Sequence, residues 1–200
     1  MVVTEIEDVS RARSLVRLDD GSSFCLYSNE LAGLHIVQGE SIADEHYRMI
    51  VEEILPKRAR LRTLNLLARR PYTEYQLRVK LSEGGYPDII IEDTIRYLNG
   101  MHLIDDYAYC RDYAFHNGSV KSRRRIMSDL LKKGVPADII DSAIKSVIDD
   151  GDMALEDSLI YRLLEKRHYD RENASFEDRQ KIRRFLYGRG FDRDSIERCT

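Results

Sequence analysis

The pattern of apolar and polar positions changes character part-way along the chain. Near its start, Val2 to Val9, Ser14 to Leu18 and Ser23 to Tyr27 are short apolar-rich runs that predict three strands of a small antiparallel sheet. The second and third flank Asp19-Asp20-Gly21-Ser22, and Asp20-Gly21 predicts a two-residue hairpin turn because both residues tolerate positive φ. Leu31, Leu34 and Ile36 suit a short helical piece ended by Gly39, and Ile42, Tyr47, Ile50, Val51 and Ile54 follow helical spacing after Ser41. Residues 1–56 therefore read as a small β/α module that needs a neighbour to pack on.

From residue 57 onward one composite recurs three times: Leu77, Leu81, Gly85, Tyr86; Ile126, Leu130, Gly134, Val135; and Ile182, Leu186, Gly190, Phe191. The glycines stand 49 and 56 residues apart. An apolar residue eight before the glycine, a leucine four before it and an apolar residue after it describe a helix that ends on a left-handed glycine, with the next residue packing back on the leucine. Restart signals follow as Pro87-Asp88, Pro136-Ala137-Asp138 and Asp192-Arg193-Asp194, with Ile91, Ile140 and Ile196 six residues past each glycine. Further helices are expected over Lys57 to Arg70, from the capping box Thr73-Glu74-Tyr75-Gln76, from Asp105 or Asp106 to about His116, and from Asp152 to about Lys166. The expected fold is mainly α: three tandem three-helix repeats at 57–100, 101–150 and 151–200, forming an elongated curved body after the β/α module. The last helix, stopping at Thr200, is expected to fray first.

Composition supports a packed helical chain. Of 200 residues, 42% are hydrophobic and 34% charged, and Trp is absent, which argues against low-complexity disorder and against a turn-rich all-β protein. No apolar run exceeds four residues, so no membrane-spanning helix is expected, and the acidic first residues do not resemble a signal peptide. A cytoplasmic protein is the expectation. Cys25, Cys110 and Cys199 are far apart and odd in number, so they read as small buried or half-buried thiols.

Charge divides the chain as the pattern does. Residues 1–56 hold 4 Lys/Arg against 11 Asp/Glu, whereas residues 57–200 hold 28 against 24, so the net −3 averages two unlike parts. Lys57 to Arg70 carries six positive residues, including Arg69 and Arg70, and no acid. Lys121, Arg123, Arg124, Arg125, Lys132 and Lys133 form a second group and Lys181, Arg183, Arg184 and Arg189 a third. If stacked repeats align the second and third groups, the stripe would attract phosphates or an acidic protein groove, with salt-sensitive affinity. Consecutive Arg123 to Arg125 point in different directions on a helix, so at most one or two can face one partner. A solvated helix face with internal ion pairs is the plainer reading of such runs.

The segments Leu103-Ile104-Asp105-Asp106-Tyr107-Ala108-Tyr109-Cys110, Ile126 to Val135 and Leu66 to Leu77 resemble the RecX family, regulatory proteins of the RecA recombinase. The likeness covers about residues 57–200. The chain keeps Asp105, Asp106 and Tyr109, with Cys110 where Ala is usual, Ser122 where Gly is usual and Asp129 where Glu is usual. The acidic β module resembles an N-terminal extension of some members. The resemblance implies three tandem three-helix repeats, no catalytic centre or cofactor, and a monomer that binds the RecA filament on single-stranded DNA in its groove. Its expected effects are inhibition of ATPase, strand exchange and filament growth in recombination, DNA repair and the SOS response. Leu103, Asp105, Asp106, Tyr109, Leu130 and Gly134 are then structural signature residues.

Other chemistries fit less well. The turns invite a helix-turn-helix, yet the helices after them open on Asp88, Glu92 and Asp93, on Asp138 and Asp141, and on Asp192, Asp194 and Glu197. That charge would repel phosphates and instead complements the helix dipole. Weak nonspecific DNA binding, or a scaffold role with another partner, is the alternative. Asp105-Asp106 reads as a helix cap, with no metal cluster completed around it. His35, His46, His102, His116 and His168 lie beside no nucleophile and read as surface or packing residues. Tyr109 and Tyr113 share a helix face and read as core.

Overall fold

The computed structural model describes residues 1–151 and 156–200, which form two compact units, Met1–Ile104 and Asp105–Thr200. The expected helix start at Asp152 lies outside the described residues.

In the first unit, β1 (Val3–Ser10), β2 (Arg13–Leu18) and β3 (Ser23–Tyr27) form an antiparallel sheet in that order. Leu15 faces Cys25 and Val16 faces Phe24, a register that turns Val16, Leu18, Phe24 and Leu26 into the core. The hairpin differs from the Asp-Gly turn expected. Only Gly21 has positive φ (+82°), the Leu18 amide donates to Ser22 O at 2.9 Å, and Gly21 N–H donates to Leu18 O at 3.1 Å. This is a three-residue loop whose last residue is left-handed, a geometry that asks for glycine at one position rather than two. The Asp20 carboxylate accepts from the Ser22 amide and hydroxyl.

After α1 (Ser28–Gly33), the chain is helical from Asp44 to Leu67: α2 (Asp44–Arg48), a π-helical stretch (Met49–Ile54), then α3 (Leu55–Leu67). Pro56 therefore lies within a helix and does not break it. Proline lacks the N–H that would bond one turn back, and the wider π turn just before it re-registers the ladder around that missing donor. It also absorbs an irregular spacing. Ile50, Leu55, Ala59 and Thr63 are all fully buried, and the five-residue step from Ile50 to Leu55 stays on one face only because the turn is widened. These residues share one core with the sheet and with α4 (Glu74–Ser82) and α5 (Asp88–Gly100), through Leu77, Leu81, Ile91, Ile95 and Leu98. The β module is thus built onto the first helix triple, and Cys25 N–H donates to Gly85 O at 3.0 Å across that junction.

The second unit contains α6 (Asp106–Asn117), α7 (Arg123–Leu131), α8 (Ala137–Asp149), α9 (Glu156–Glu165), α10 (Phe176–Gly188) and α11 (Arg193–Cys199). Cys110, Ala114, Ile126, Leu130, Val135, Ile140, Ile144 and Val147 build one core; Leu159, Ile160, Ile182, Leu186, Phe191 and Ile196 build another. The expected fraying at Thr200 is not seen. Cys199 and Thr200 are buried, Tyr169 Oη donates to Thr200 O at 3.3 Å, and Arg183 Nε donates to Thr200 Oγ1 at 3.0 Å.

The glycine turns have the form their spacing implies. Gly85, Gly134 and Gly190 sit at φ +74°, +79° and +86°, and the amides of Tyr86, Val135 and Phe191 donate back to Leu81 O, Leu130 O and Leu186 O. Thr73 and Gln76 form the expected capping box, and Ser122, Ser175, Asp105 and Asp192 cap other helices. A second set of turns was not foreseen. His35, His102 and His168 also lie in the left-handed region, at +50°, +52° and +51°. Ile36, Leu103 and Tyr169 donate back to Leu31 O, Leu98 O and Leu164 O in the same pattern. The motif thus ends helices on histidine as well as glycine.

His102 carries a Cβ in a region that penalises it by about 1–2 kcal/mol, so His102→Gly should stabilise the protein by about 1 kcal/mol after the unfolded-chain entropy is counted. Thermal unfolding should move up by about 2–4 °C; no gain would contradict the reading of this turn. Conversely, a Cβ on Gly85 would overlap Cys25 Sγ in addition to its left-handed φ, so Gly85→Ala should cost about 3 kcal/mol. Adding Cys25→Ala should recover part of that loss if the clash contributes to it. At the last cap, hydrogen bonds from the Ser195 side chain and amide hold the Asp192 carboxyl down to about 2, against an ordinary 3.8. The stability this group contributes is complete above pH 3.8 and is lost as pH falls through about 2. Asp192→Asn, which still caps, should flatten acid unfolding in that window.

Candidate partner-binding surface

The seam between the two helix triples of the second unit brings separate basic groups together. The Ser122 hydroxyl, which caps α7, donates to Arg189 O at 3.0 Å, and a Cβ on Gly190 would stand 2.9 Å from Ser122 Oγ. This approach carries the start of α7 to the end of α10, so the Arg124 guanidinium lies 6.0 Å from the centre of the Tyr187 ring. Tyr187, 60% exposed, lines an open apolar cavity of 350 Å³ with Arg183, Arg184 and the Arg193–Glu197 ion pair. Arg124, Tyr187 and Arg184 therefore belong to one exposed patch, and Arg189 lies over the Phe185 ring at 4.4 Å.

Many residues of the basic groups are engaged within the fold. Arg123 donates to Asp141 at 3.2 Å, and its amide donates to Glu156 at 2.9 Å. Arg125 lies 3.4 Å from Asp129, and Lys121 donates both to Asp129 at 2.9 Å and to Tyr113 Oη at 2.7 Å. Burial works to raise the Asp129 carboxyl, but the hydrogen bonds from Lys121 and Tyr113 outweigh it and hold it below the usual range. Lys133 lies over the Tyr109 and Tyr113 rings, and Arg183 is taken by Thr200. Arg124, Lys132, Arg184 and Arg189, by contrast, have no carboxylate partner among the described residues. The consecutive Arg123, Arg124 and Arg125 diverge to Asp141, Tyr187 and Asp129 respectively.

In the first unit the long basic helix is divided the same way. Arg58 pairs with Glu30 at 2.8 Å and reaches Cys25 O; Arg60 pairs with Asp93 at 2.7 Å; Arg70 stacks on Tyr72 at 4.4 Å. Arg69 has no carboxylate partner among the described residues and lines a second cavity, also of 350 Å³, with Arg13, Arg58, Arg62, Tyr27 and Tyr86. Grouping basic residues by sequence missed Arg13 and did not single out Arg58 and Arg62. The recoverable signal was the helical spacing of Arg58, Arg62 and Arg69; nothing in the sequence placed Arg13 beside them.

The acids of the third helices have structural work. Glu92 pairs with Arg78, Asp93 with Arg60 and Asp141 with Arg123, while Asp88, Asp138 and Asp194 occupy first helical turns. Asp105 caps α6 by accepting the Ala108 amide at 2.9 Å, Asp106 follows in its first turn, and Tyr109 packs on the core that holds Leu130. Burial, with Asp106 adding to it, pushes the Cys110 thiol up to about 12, so it is not poised as a nucleophile. Among the described residues no group of three or more His, Cys, Asp or Glu could hold a metal, and no helix is long and apolar enough to cross a membrane.

Residues 59–98 match a model of the RecX first three-helix domain, and residues 156–200 match one of the RecX third three-helix domain. Over 203 residues the chain is 29% identical to a regulatory protein RecX of Caldanaerobacter subterraneus subsp. tengcongensis, covering 100% of this chain and 98% of that protein. It is 30% identical over 201 residues to a regulatory protein RecX of Clostridium perfringens (strain 13 / Type A), covering 96% and 91%. A crystal structure of regulatory protein RecX shares the fold at TM-score 0.65 and 24% identity, over 99% of this chain and 98% of that one. That of RecX from Lactobacillus salivarius does so at TM-score 0.59 and 22% identity, over 72% and 94%. With the helix triples in place and this identity over nearly the whole length, the chain belongs to the RecX family of regulatory proteins.

Proposed function

We propose that this chain is a non-enzymatic regulator that binds the RecA recombinase filament on single-stranded DNA and restrains its ATPase, strand exchange and growth. What supports this reading most is the nearly full-length likeness to proteins named regulatory protein RecX. The physical complement is the patch of Arg124, Tyr187 and Arg184 at the Ser122–Gly190 seam, with Arg189 beside it. Arginines without internal carboxylates around an exposed tyrosine are what a partner surface of acidic or phosphate character requires, and aromatic and arginine side chains dominate binding energy at such contacts. Domain limits at 57–100, 101–150 and 151–200 are part of the same proposal, each triple presenting its basic residues beside a left-handed turn. A cytoplasmic monomer with no cofactor fits the role.

Added to RecA, single-stranded DNA and ATP, the purified protein should lower the rate of ATP hydrolysis at near-stoichiometric amounts, less so at high salt. Reversal of Arg124, Arg184 and Arg189 to Glu should raise the concentration needed by at least about tenfold, as expected when charge complementarity is turned into repulsion. Asp129 and Lys121 are left intact in that variant, so folding should be unaffected. No inhibition by the natural chain over a wide concentration range would overturn the RecA reading. Tight salt-dependent binding to DNA, with the recombinase ignored, would instead favour a nonspecific DNA-binding module.

A further inference from the structure

The cavity of the first unit joins residues that the regulatory reading does not use. Arg58, Arg62 and Arg69 recur at four and seven residues along α3 and its end, one face of a helix, and Arg13 enters from the start of β2. Four arginines thus line one 350 Å³ space with no carboxylate in its lining among the described residues, and of the four only Arg58 is paired, with Glu30 outside that lining. Arg13, Arg62 and Arg69 have no ion pair among the described residues. The Arg62 Nε is buried and finds no hydrogen-bond partner there either, although a buried donor in a folded protein nearly always has one. Convergent positive charge with an unsatisfied buried donor is the electrostatic form of an anion site.

The lining narrows the anion. A carboxylate offers its acceptor sites in one plane, whereas a phosphate offers acceptors in several directions to several forks. Here the forks come from a strand, from two turns of α3 and from just past its end. Two tyrosines complete the wall. Arg58 lies over the Tyr27 ring at 4.8 Å, and Tyr27 is still 39% exposed, so it can accept a flat ring against its remaining surface. The space is at the lower end of small-ligand sites, the size of one nucleotide unit rather than a duplex.

We propose that this cavity, completed by the N-terminal β module, binds the phosphate of a nucleotide, with the attached base against Tyr27. The site does not rest on the RecA reading, and its test contains no recombinase. The full-length protein is titrated, at constant ionic strength, with inorganic phosphate, thymidine 5′-monophosphate, a short oligothymidylate and an oligoglutamate peptide. Arg62→Gln together with Arg69→Gln should weaken binding of a phosphate-bearing probe by at least about tenfold, the scale of losing charge-assisted hydrogen bonds. Arg48→Gln with Lys145→Gln, two exposed positions outside the cavity, should leave it unchanged. Arg58 is avoided because it fastens the module; circular dichroism should show the pocket variant folded as the parent. Monophosphate binding that depends on the pocket arginines identifies a free-nucleotide site; pocket-dependent binding of the oligonucleotide alone identifies a strand site. Phosphate probes that do not bind, or that bind equally to the pocket variant, overturn the proposal, as does tighter pocket-dependent binding of oligoglutamate.

Discussion

Each helix triple turns on the same local constraint: a helix must end on a residue in the left-handed region so that the next apolar side chain can fold back over a leucine one turn earlier. A triple of about 40 residues buries too little surface to tolerate loosely directed connections. The turn fixes the direction in which the third helix departs, and that departure places Ile91, Ile140 and Ile196 in their cores. Two of these turns also make close contacts with other parts of the fold. Gly85 lies against Cys25 of the sheet, and Gly190 lies against Ser122 at the start of α7. The residue that permits the turn is therefore the residue that permits the next layer to approach.

Arginine performs two separable tasks. Those with a carboxylate beside them, Arg58, Arg60, Arg78 and Arg123, tie one element to another, often to an acid on the third helix of the triple. Exposed pairs of this kind add little stability singly. They do neutralise the helices that a basic sequence would otherwise leave repelling one another. Among the arginines without a carboxylate partner, two groups gather around tyrosines, one beside Tyr187 and one in the cavity bounded by Tyr27 and Tyr86. A net charge of −3 conceals this, because it counts fasteners and free cations alike.

Much of the architecture is legible in the sequence because glycine, proline and capping residues mark backbone states that few other residues adopt. Gly85, Gly134 and Gly190 disclose their turns, and Thr73 with Gln76 discloses a helix start. His35, His102 and His168 adopt the same backbone state without a distinctive side-chain signal, so those turns were invisible. The π turn before Pro56 was hidden for a related reason: the proline suggests a boundary, and only the burial of Ile50 and Leu55 reveals a continuous helix. The basic patch was half legible. Charge runs point to Arg124, Arg184 and Arg189, but which arginines are spent on Asp129 or Asp141 depends on packing between helices far apart in sequence. Arg13 belongs to the other cavity only because a strand folds onto a helix more than forty residues later.

The direct measurement of the regulatory account is hydrogen exchange on the full-length protein with and without RecA filaments assembled on single-stranded DNA with a slowly hydrolysed ATP analogue. Binding through the Ser122–Gly190 seam predicts added protection concentrated in peptides covering 122–131 and 183–193. Unchanged exchange in both segments, with or without protection elsewhere, would contradict it.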